Sequence, residues 1–443
     1  MALFYSHGAI QWLAADAVST TYAQTCTDVT SGATFQPKAL RFTWAGNQSA
    51  TDLLSTTVNQ NRGVGFAVST SSRRCVGSYS LDAFASGSDC GTMARDDSIA
   101  CTTDGTGAAD GMLDLSSIDA GGFTPIVDNQ PTNNITVFWE AWGGTDITNA
   151  TIVDISEPAG TGDVDYTATG FLPGAEDQVV MLAGSQDSSA LNTGLAEASG
   201  FMIGYVTGPG RRQCVVSGNS DDASATTDCD GTGLNGECIN MIIRAGAATV
   251  QCRASFTQFN ADGFRLNWAA VGITGRKYIA LAIKGGSWLA GVCVGQVNAI
   301  NDTTKVSGMR FKPVGISLIA TGDAETASNV AIAPDAIMWG CGSSASSRRS
   351  LATIDRSGQT TSAVTLTLQY DQILSQILVT GTLDGLLDIS SMDKDGFTLI
   401  CDAAATTATK AWWVGFLAFG DVGDYSGSQR ARAKDQPMIR GPM

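Results

Sequence analysis

Eleven cysteines, one histidine and 42 carboxylates are the residues of this 443-residue chain with the widest chemical reach. Six cysteines fall into two matching sets, Cys75, Cys90 and Cys101, then Cys214, Cys229 and Cys238. In both sets the first two members stand 15 positions apart, and the segments between share Val76/Val215, Ser78/Ser217, Asp82/Asp221 and Asp89/Asp228. Three chemistries compete for them. Zinc wants four tetrahedral ligands, and three cysteines without a histidine leave the set incomplete. A disulfide needs an oxidising compartment. Buried thiols acting as small hydrophobes need neither, and that reading stands first. Cys26, Cys252, Cys293, Cys341 and Cys401 lie outside the sets and are expected in the core.

Other residues invite chemistry and admit a plainer account. The loop from Asp221-Asp222 to Asp228-Cys229-Asp230-Gly231 has oxygen ligands for calcium, but not the alternating, Glu-terminated order of an EF-hand. Turn-forming aspartate is the better account. Three arginine pairs, Arg73-Arg74, Arg211-Arg212 and Arg348-Arg349, offer planar donor forks to acidic sugars or a neighbouring subunit. Equally, one member of each pair could turn inward to a nearby aspartate. Trp139, Trp142, Trp412 and Trp413 suit sugar stacking, yet they sit in alternating apolar strands, where core packing is expected. His7 is the only histidine, so triad chemistry has one place to occur. No Gly-x-Ser-x-Gly elbow, phosphate-binding loop or His-Glu-x-x-His is present. No catalytic, cofactor or metal residues are assigned, and an enzyme is not expected.

The elements that must position these residues follow from composition. Hydrophobic residues make up 43%, and 51 glycines with abundant Ser, Thr, Asp and Ala mark many turns. Short apolar runs such as Val64–Val68 and Phe397–Ile400 alternate with Asp-Gly turns at 104–105, 110–111, 230–231, 262–263, 384–385 and 395–396. The expected class is all-β, with β-sandwich or jelly-roll-like domains. A net charge of −16 disfavours nucleic acid as a partner. The C-terminal stretch reverses that sign locally through Arg430, Arg432, Lys434 and Arg440, a candidate anchor to an acidic neighbour. The N-terminus lacks the basic region of a secretory signal, and no apolar run is long enough to span a membrane as a helix.

Three landmarks recur in one order. Phe-x-Pro appears at Phe35, Phe171 and Phe311; the arginine pairs follow; then Gly-Phe at Gly122, Gly263 and Gly396, behind Asp119, Asp262 and Asp395. Arg73 to Arg211 is 138 positions and Arg211 to Arg348 is 137. Solenoid repeats run to about 50 residues, so this period describes whole domains in series. The expected divisions are 1–148, 149–286, 287–426 and a basic tail at 427–443, with joins short enough for a fixed array. The third copy keeps only Ser350 from the cysteine set.

With these landmarks the chain resembles tailed-bacteriophage virion proteins that carry tandem Gly-Phe-x-Pro β-domains. The likeness rests on Thr34–Ala39, Gly63–Val68 with Arg73-Arg74-Cys75, Asp119 to Gly122-Phe123, and Gly143–Ala150. The full motif stands at Gly170–Pro173, while Thr34 and Arg310 replace its glycine elsewhere. The resemblance implies a particle-borne structural protein, assembled in the host cytoplasm. It would project as a fibre or spike that meets host-surface glycans; the alternative is a capsid or tail decoration protein. It implies other virion proteins as partners, a homo-oligomer such as a trimer, and no cofactor. A secreted polysaccharide-degrading enzyme is the reading from a different class.

Overall fold

Alternating polarity tells a strand which face to bury, and in this chain two kinds of strand result. The computed structural model describes residues 2–46, 53–56, 59–81, 90–174, 177–185, 190–196, 198–220, 229–244, 248–321, 335–355, 365–378, 382–406 and 411–421. Among them are 32 strands and no helix, and every strand pair is antiparallel.

The first domain comprises β1 (Phe4–Trp12), β2 (Gln24–Thr25), β3 (Pro37–Gly46), β4 (Leu53–Thr56), β5 (Asn59–Ser69), β6 (Ser72–Leu81), β7 (Cys90–Arg95), β8 (Ala100–Thr103), β9 (Ala109–Asp119), β10 (Gly122–Asn129) and β11 (Ile135–Gly143). Its large sheet runs β1-β11-β3-β5-β6-β7 and its small sheet β2-β10-β9-β8.

The second domain comprises β12 (Asn149–Ser156), β13 (Gly162–Thr167), β14 (Gln178–Ser185), β15 (Leu195–Ala196), β16 (Ala198–Gly208), β17 (Arg211–Ser220), β18 (Cys229–Asn235), β19 (Ile239–Arg244), β20 (Ala248–Asn260), β21 (Gly263–Ala270) and β22 (Lys277–Lys284). Its sheets are β12-β22-β14-β16-β17-β18 and β13-β21-β20-β19.

The third domain comprises β23 (Ser287–Gln296), β24 (Thr303–Ser307), β25 (Gly315–Thr321), β26 (Asp335–Ser344), β27 (Ser347–Asp355), β28 (Thr365–Gln369), β29 (Leu374–Ile377), β30 (Leu383–Asp393), β31 (Gly396–Ala403) and β32 (Ala411–Gly420). Its sheets are β23-β32-β25-β26-β27-β28 and β24-β31-β30-β29. Connectivity is the same three times over.

The small sheets are half-buried. β10, β21 and β31 carry one identical burial pattern, alternating between core and surface. The large sheets are covered on both faces: β11, β14 and β25 are buried at every residue. One face meets the small sheet of the same domain, giving three separate sandwich cores. The other face meets the large sheets of both other domains in a fourth core shared by all three. The apolar run at Val179–Leu182 and the run Ile316–Ala320, broken only by the buried Ser317, are therefore inner strands with no exposed side.

Two short strands cross between domains. β15 of the second domain pairs with β7 of the first, and β4 of the first pairs with β28 of the third. The segment ahead of β1 meets both later domain boundaries: the Leu3 amide donates to Asp421 Oδ1 at 2.7 Å, and the Asp146 amide to the Ala2 carbonyl at 3.2 Å. Trp142, Trp288 and Phe419 gather beside them with ring centroids 5.5–6.1 Å apart.

Strand register corrects three matches drawn from the sequence. Cys75, Cys214 and Ser350 lie opposite Gly65, Gly204 and Gly340, so Arg73-Arg74 corresponds to Arg212-Gln213 and Arg348-Arg349. The Arg211-Arg212 pairing was one residue out because the adjacent arginine gives the same motif. Cys101 corresponds to Asn240 and Ser375, which pair as Cys101↔Met112, Asn240↔Arg253 and Ser375↔Leu386; Cys238 falls two positions earlier. Asp119 corresponds to Asn260 and Asp393, each opposite the glycine of its Gly-Phe.

Candidate functional site

The recurring arginine position closes each sandwich. Arg73 on β6 forks onto Asp114 of the small sheet, its NH2 reaching Oδ2 at 2.7 Å and the Asp97 carbonyl at 2.9 Å. Arg348 does the same to Asp388, with Nε and NH2 bonds of 2.7 and 2.5 Å. The second domain has Ser255 at that small-sheet position, and Arg212 donates instead to the Gly236 and Phe256 carbonyls. Each guanidinium therefore ties the large sheet to its own small sheet.

The position that follows points out of the domain. Arg74 forks onto Asp154 of the second domain at 2.8 and 2.9 Å. Gln213 donates to the Phe416 carbonyl of the third domain at 2.7 Å. Arg349 stacks 4.9 Å over Tyr370, whose ring packs on Phe138 of the first domain. First contacts second, second contacts third, third contacts first. Arg74 and Arg349 thus serve contacts between domains of one chain.

Where the three large sheets converge, the residues differ. Arg41 on β3 stands opposite Phe66 and Glu140; Met181 on β14 opposite Tyr205 and Leu281; Ser317 on β25 opposite Cys341 and Leu417. The first domain alone contributes an ion pair here, and it is almost fully buried. Glu140 accepts from Arg41, from the Tyr5 hydroxyl at 3.0 Å and from Ser317 Oγ at 2.6 Å. Arg41 also donates to Tyr205 Oη at 2.7 Å. Burial opposes its charge, but Glu140 and Tyr205 more than offset that and hold the guanidinium protonated. Tyr205 is pushed up to about 12, chiefly by burial, so its hydroxyl stays neutral.

Further along the same core, Arg62 lies opposite Ser78, Phe201 opposite Ser217, and Ile337 opposite Thr353. Arg62 is 1% exposed, donates to Ser217 Oγ at 2.6 Å and Thr353 Oγ1 at 3.3 Å, and stacks 5.5 Å over Phe201. No sequence signal marked Arg41, Glu140 or Arg62. A charged residue inside an inner strand was the available clue, legible only once the strand is known to be covered on both faces.

The only histidine is set up poorly for catalysis. His7 Nε2 lies 2.9 Å from Ser347 Oγ, a serine–histidine contact across domains. No described carboxylate partners its buried Nδ1. Burial and the nearby Arg349 charge lower its pKa to about 3, so the ring is a weak base at neutral pH.

The cysteines are core residues. All ten with described side chains are buried and free of disulfides, and no cluster of three metal-ligating side chains occurs among the described residues. Burial pushes the thiols of Cys75 and Cys214 well up, and that of Cys238 to about 12, so none is a ready thiolate. Cys75 hydrogen-bonds with Cys101; in the third domain Ser350 and Ser375 occupy the same two positions with hydroxyls 3.1 Å apart. A hydrogen-bonded pair of small polar groups is what the first and third domains share, while the second places Asn240 at the Cys101 position, where its amide donates to Glu237. The side chain of Cys229, the acidic loop at 221–228 and the tail with Arg430, Arg432, Lys434 and Arg440 lie outside the described residues. Trp139, Trp142, Trp412 and Trp413 are all buried, as expected of core residues.

One open groove of about 650 Å³ lies where the first domain meets the join to the second. Its rim includes Gln36, Lys38, Ser69, Ser117, Thr148 and Asn149. Lys38 Nζ donates to the Ile147 carbonyl at 2.7 Å, bracing the join. Comparison of the chain with protein-family models, curated proteins and solved structures finds no match.

Proposed function

We propose that the chain is a non-enzymatic structural protein of a tailed-phage particle, carried on the outside of the virion and meeting host-surface glycans. The observation that carries this reading is the use made of the recurring residues. Arg73, Arg74, Arg212, Arg348 and Arg349, the buried tryptophans and the Gly-Phe motif all hold sheets or domains together, which suits a rigid building block. The hydroxyl- and amide-rimmed groove at Gln36, Ser117 and Asn149 is where sugar hydroxyls would find donors and acceptors.

A second placement, as a shell or tail decoration, is favoured by the packing of the sandwiches. They lie side by side around one core, which gives a block rather than a rod. Density for the chain on purified particles tests the class, and its absence from every particle component rejects it. A glycan array separates the placements: binding that Asn149→Ala weakens supports attachment, and no binding to any host glycan supports decoration.

A further inference from the structure

We propose that the chain is a covalent stand-in for a homotrimer, locked by Arg62 as a single guanidinium on an internal threefold axis. The closed three-sandwich unit is then the working protomer, monomeric in solution. The statement about solution mass stands independently; the statement about a particle rests on the function proposed above.

Three observations define the axis. The large sheets of all three domains share one core, although each also has a sandwich core of its own. The residue after the inward arginine reaches the next domain in cyclic order, through Arg74 to Asp154, Gln213 to Phe416, and Arg349 with Tyr370 to Phe138. Leu3, just ahead of β1, bonds to Asp421, just past β32, so the third domain returns to the first.

Arg62 lies on that axis by register. Two of its acceptors, Ser217 and Thr353, occupy one equivalent position in the second and third domains, the position that Ser78 holds in the first. Phe201, whose ring it covers, is its own equivalent in the second domain. A guanidinium presents donors along several directions in one plane, which suits hydroxyls arriving from two other domains at once. Only one fits. Three identical domains would bring three like charges into the same dry space, at large desolvation and repulsive cost. Fusing the copies lets one domain carry the arginine while the others carry Phe201 and Ile337.

Threefold equivalence makes a sharp test. Arg62→Phe alone strands two hydroxyls, and Phe201→Arg alone adds a second buried charge; each should lower Tm or abolish folding. The double variant Arg62→Phe/Phe201→Arg moves the single guanidinium to an equivalent site and should recover at least half the loss of the milder single variant. A double variant no better than the worse single one overturns the axial assignment. For the intact chain, native mass spectrometry should give the mass of one chain, and Tm should not change over a roughly hundred-fold range of concentration. A threefold mass, or a Tm rising with concentration, overturns the covalent-trimer inference. On a particle, density should show one chain at each threefold seat, and three chains per seat would overturn it. A chain that is monomeric but absent from particles would reject the proposed function and leave this inference standing.

Discussion

The three outer sandwich cores and the shared inner core are built from the same strands, yet they use the repeat in opposite ways. In the outer cores, equivalent positions do equivalent jobs. Phe123, Phe264 and Phe397 are each fully buried behind a glycine. A Cβ on Gly65, Gly204 or Gly340 would stand 1.8, 2.2 or 1.8 Å from the carbonyl oxygen of Ile99, Cys238 or Ile373. In the inner core, equivalent positions diverge: Arg41, Met181 and Ser317; Glu140, Leu281 and Leu417; Arg62, Phe201 and Ile337. Each sandwich packs against itself and needs the same parts three times. At a common axis three copies of one large or charged side chain would collide, so those parts must differ, while the small hydroxyl residues Ser78, Ser217 and Thr353 recur.

Breaking the inner ion pair should have the largest effect. Glu140→Ala leaves the Arg41 guanidinium buried without its carboxylate, and chemical denaturation should record a loss of about 3–5 kcal/mol. The double variant Arg41→Met/Glu140→Leu copies the second domain's pair and should be less unstable than Glu140→Ala, because no charge is left buried alone, although the Tyr5, Tyr205 and Ser317 hydroxyls each lose a partner. If the double variant is as unstable as the single one, the inner core is not interchangeable between copies.

The outer cores predict uniformity. Gly65→Ala, Gly204→Ala and Gly340→Ala each force a methyl group into a facing carbonyl, and each should cost about 3 kcal/mol. A tolerated substitution in one domain alone would show that the copies do not pack alike.

His7 gives the inner region a pH signature. Its folded pKa of about 3 lies below the ordinary histidine value of 6.5, because burial and Arg349 disfavour the cation. The unfolded chain therefore takes up the proton first, and stability present above pH 6.5 falls as pH drops towards 3. At 1.36 kcal/mol per unit, the loss should be about 2 kcal/mol by pH 5. Since His7 is the sole histidine, His7→Gln should flatten urea-denaturation stability between pH 7 and 5. A slope that persists in the variant would assign it to another group.

The smallest expected change compares the first and third outer cores directly. Cys75→Ser with Cys101→Ser recreates the hydroxyl pair of Ser350 and Ser375, and stability should shift by less than about 1 kcal/mol. In the parent chain these buried, protonated thiols should resist alkylation until the fold is opened. Rapid alkylation of Cys75 in the native state would contradict the packing described here.

What could be read in advance follows the same division. Alternation, Asp-Gly turns and recurring Phe-x-Pro and Gly-Phe expose an all-β chain in three copies, because those signals are local. Equivalence within one or two residues was harder. The run Arg211-Arg212 offers two registers, and only the pairing of Cys214 with Gly204 selects one. The serine pair at 350 and 375 was invisible as a counterpart of two cysteines, because a shared hydrogen-bonding role leaves no shared residue type.

By itself, the sequence determined the strands, the turns, the number of copies and the apolar character of the cysteine and tryptophan sites, since each depends on residues close along the chain. The tertiary structure alone decided that the large sheets are covered on both faces, that the three domains close in a ring, and that Arg41, Glu140 and Arg62 lie inside it. Those outcomes rest on contacts between residues more than a hundred positions apart, such as Arg62 with Ser217 and Thr353. No local pattern encodes which copy carries the guanidinium that reaches the other two domains.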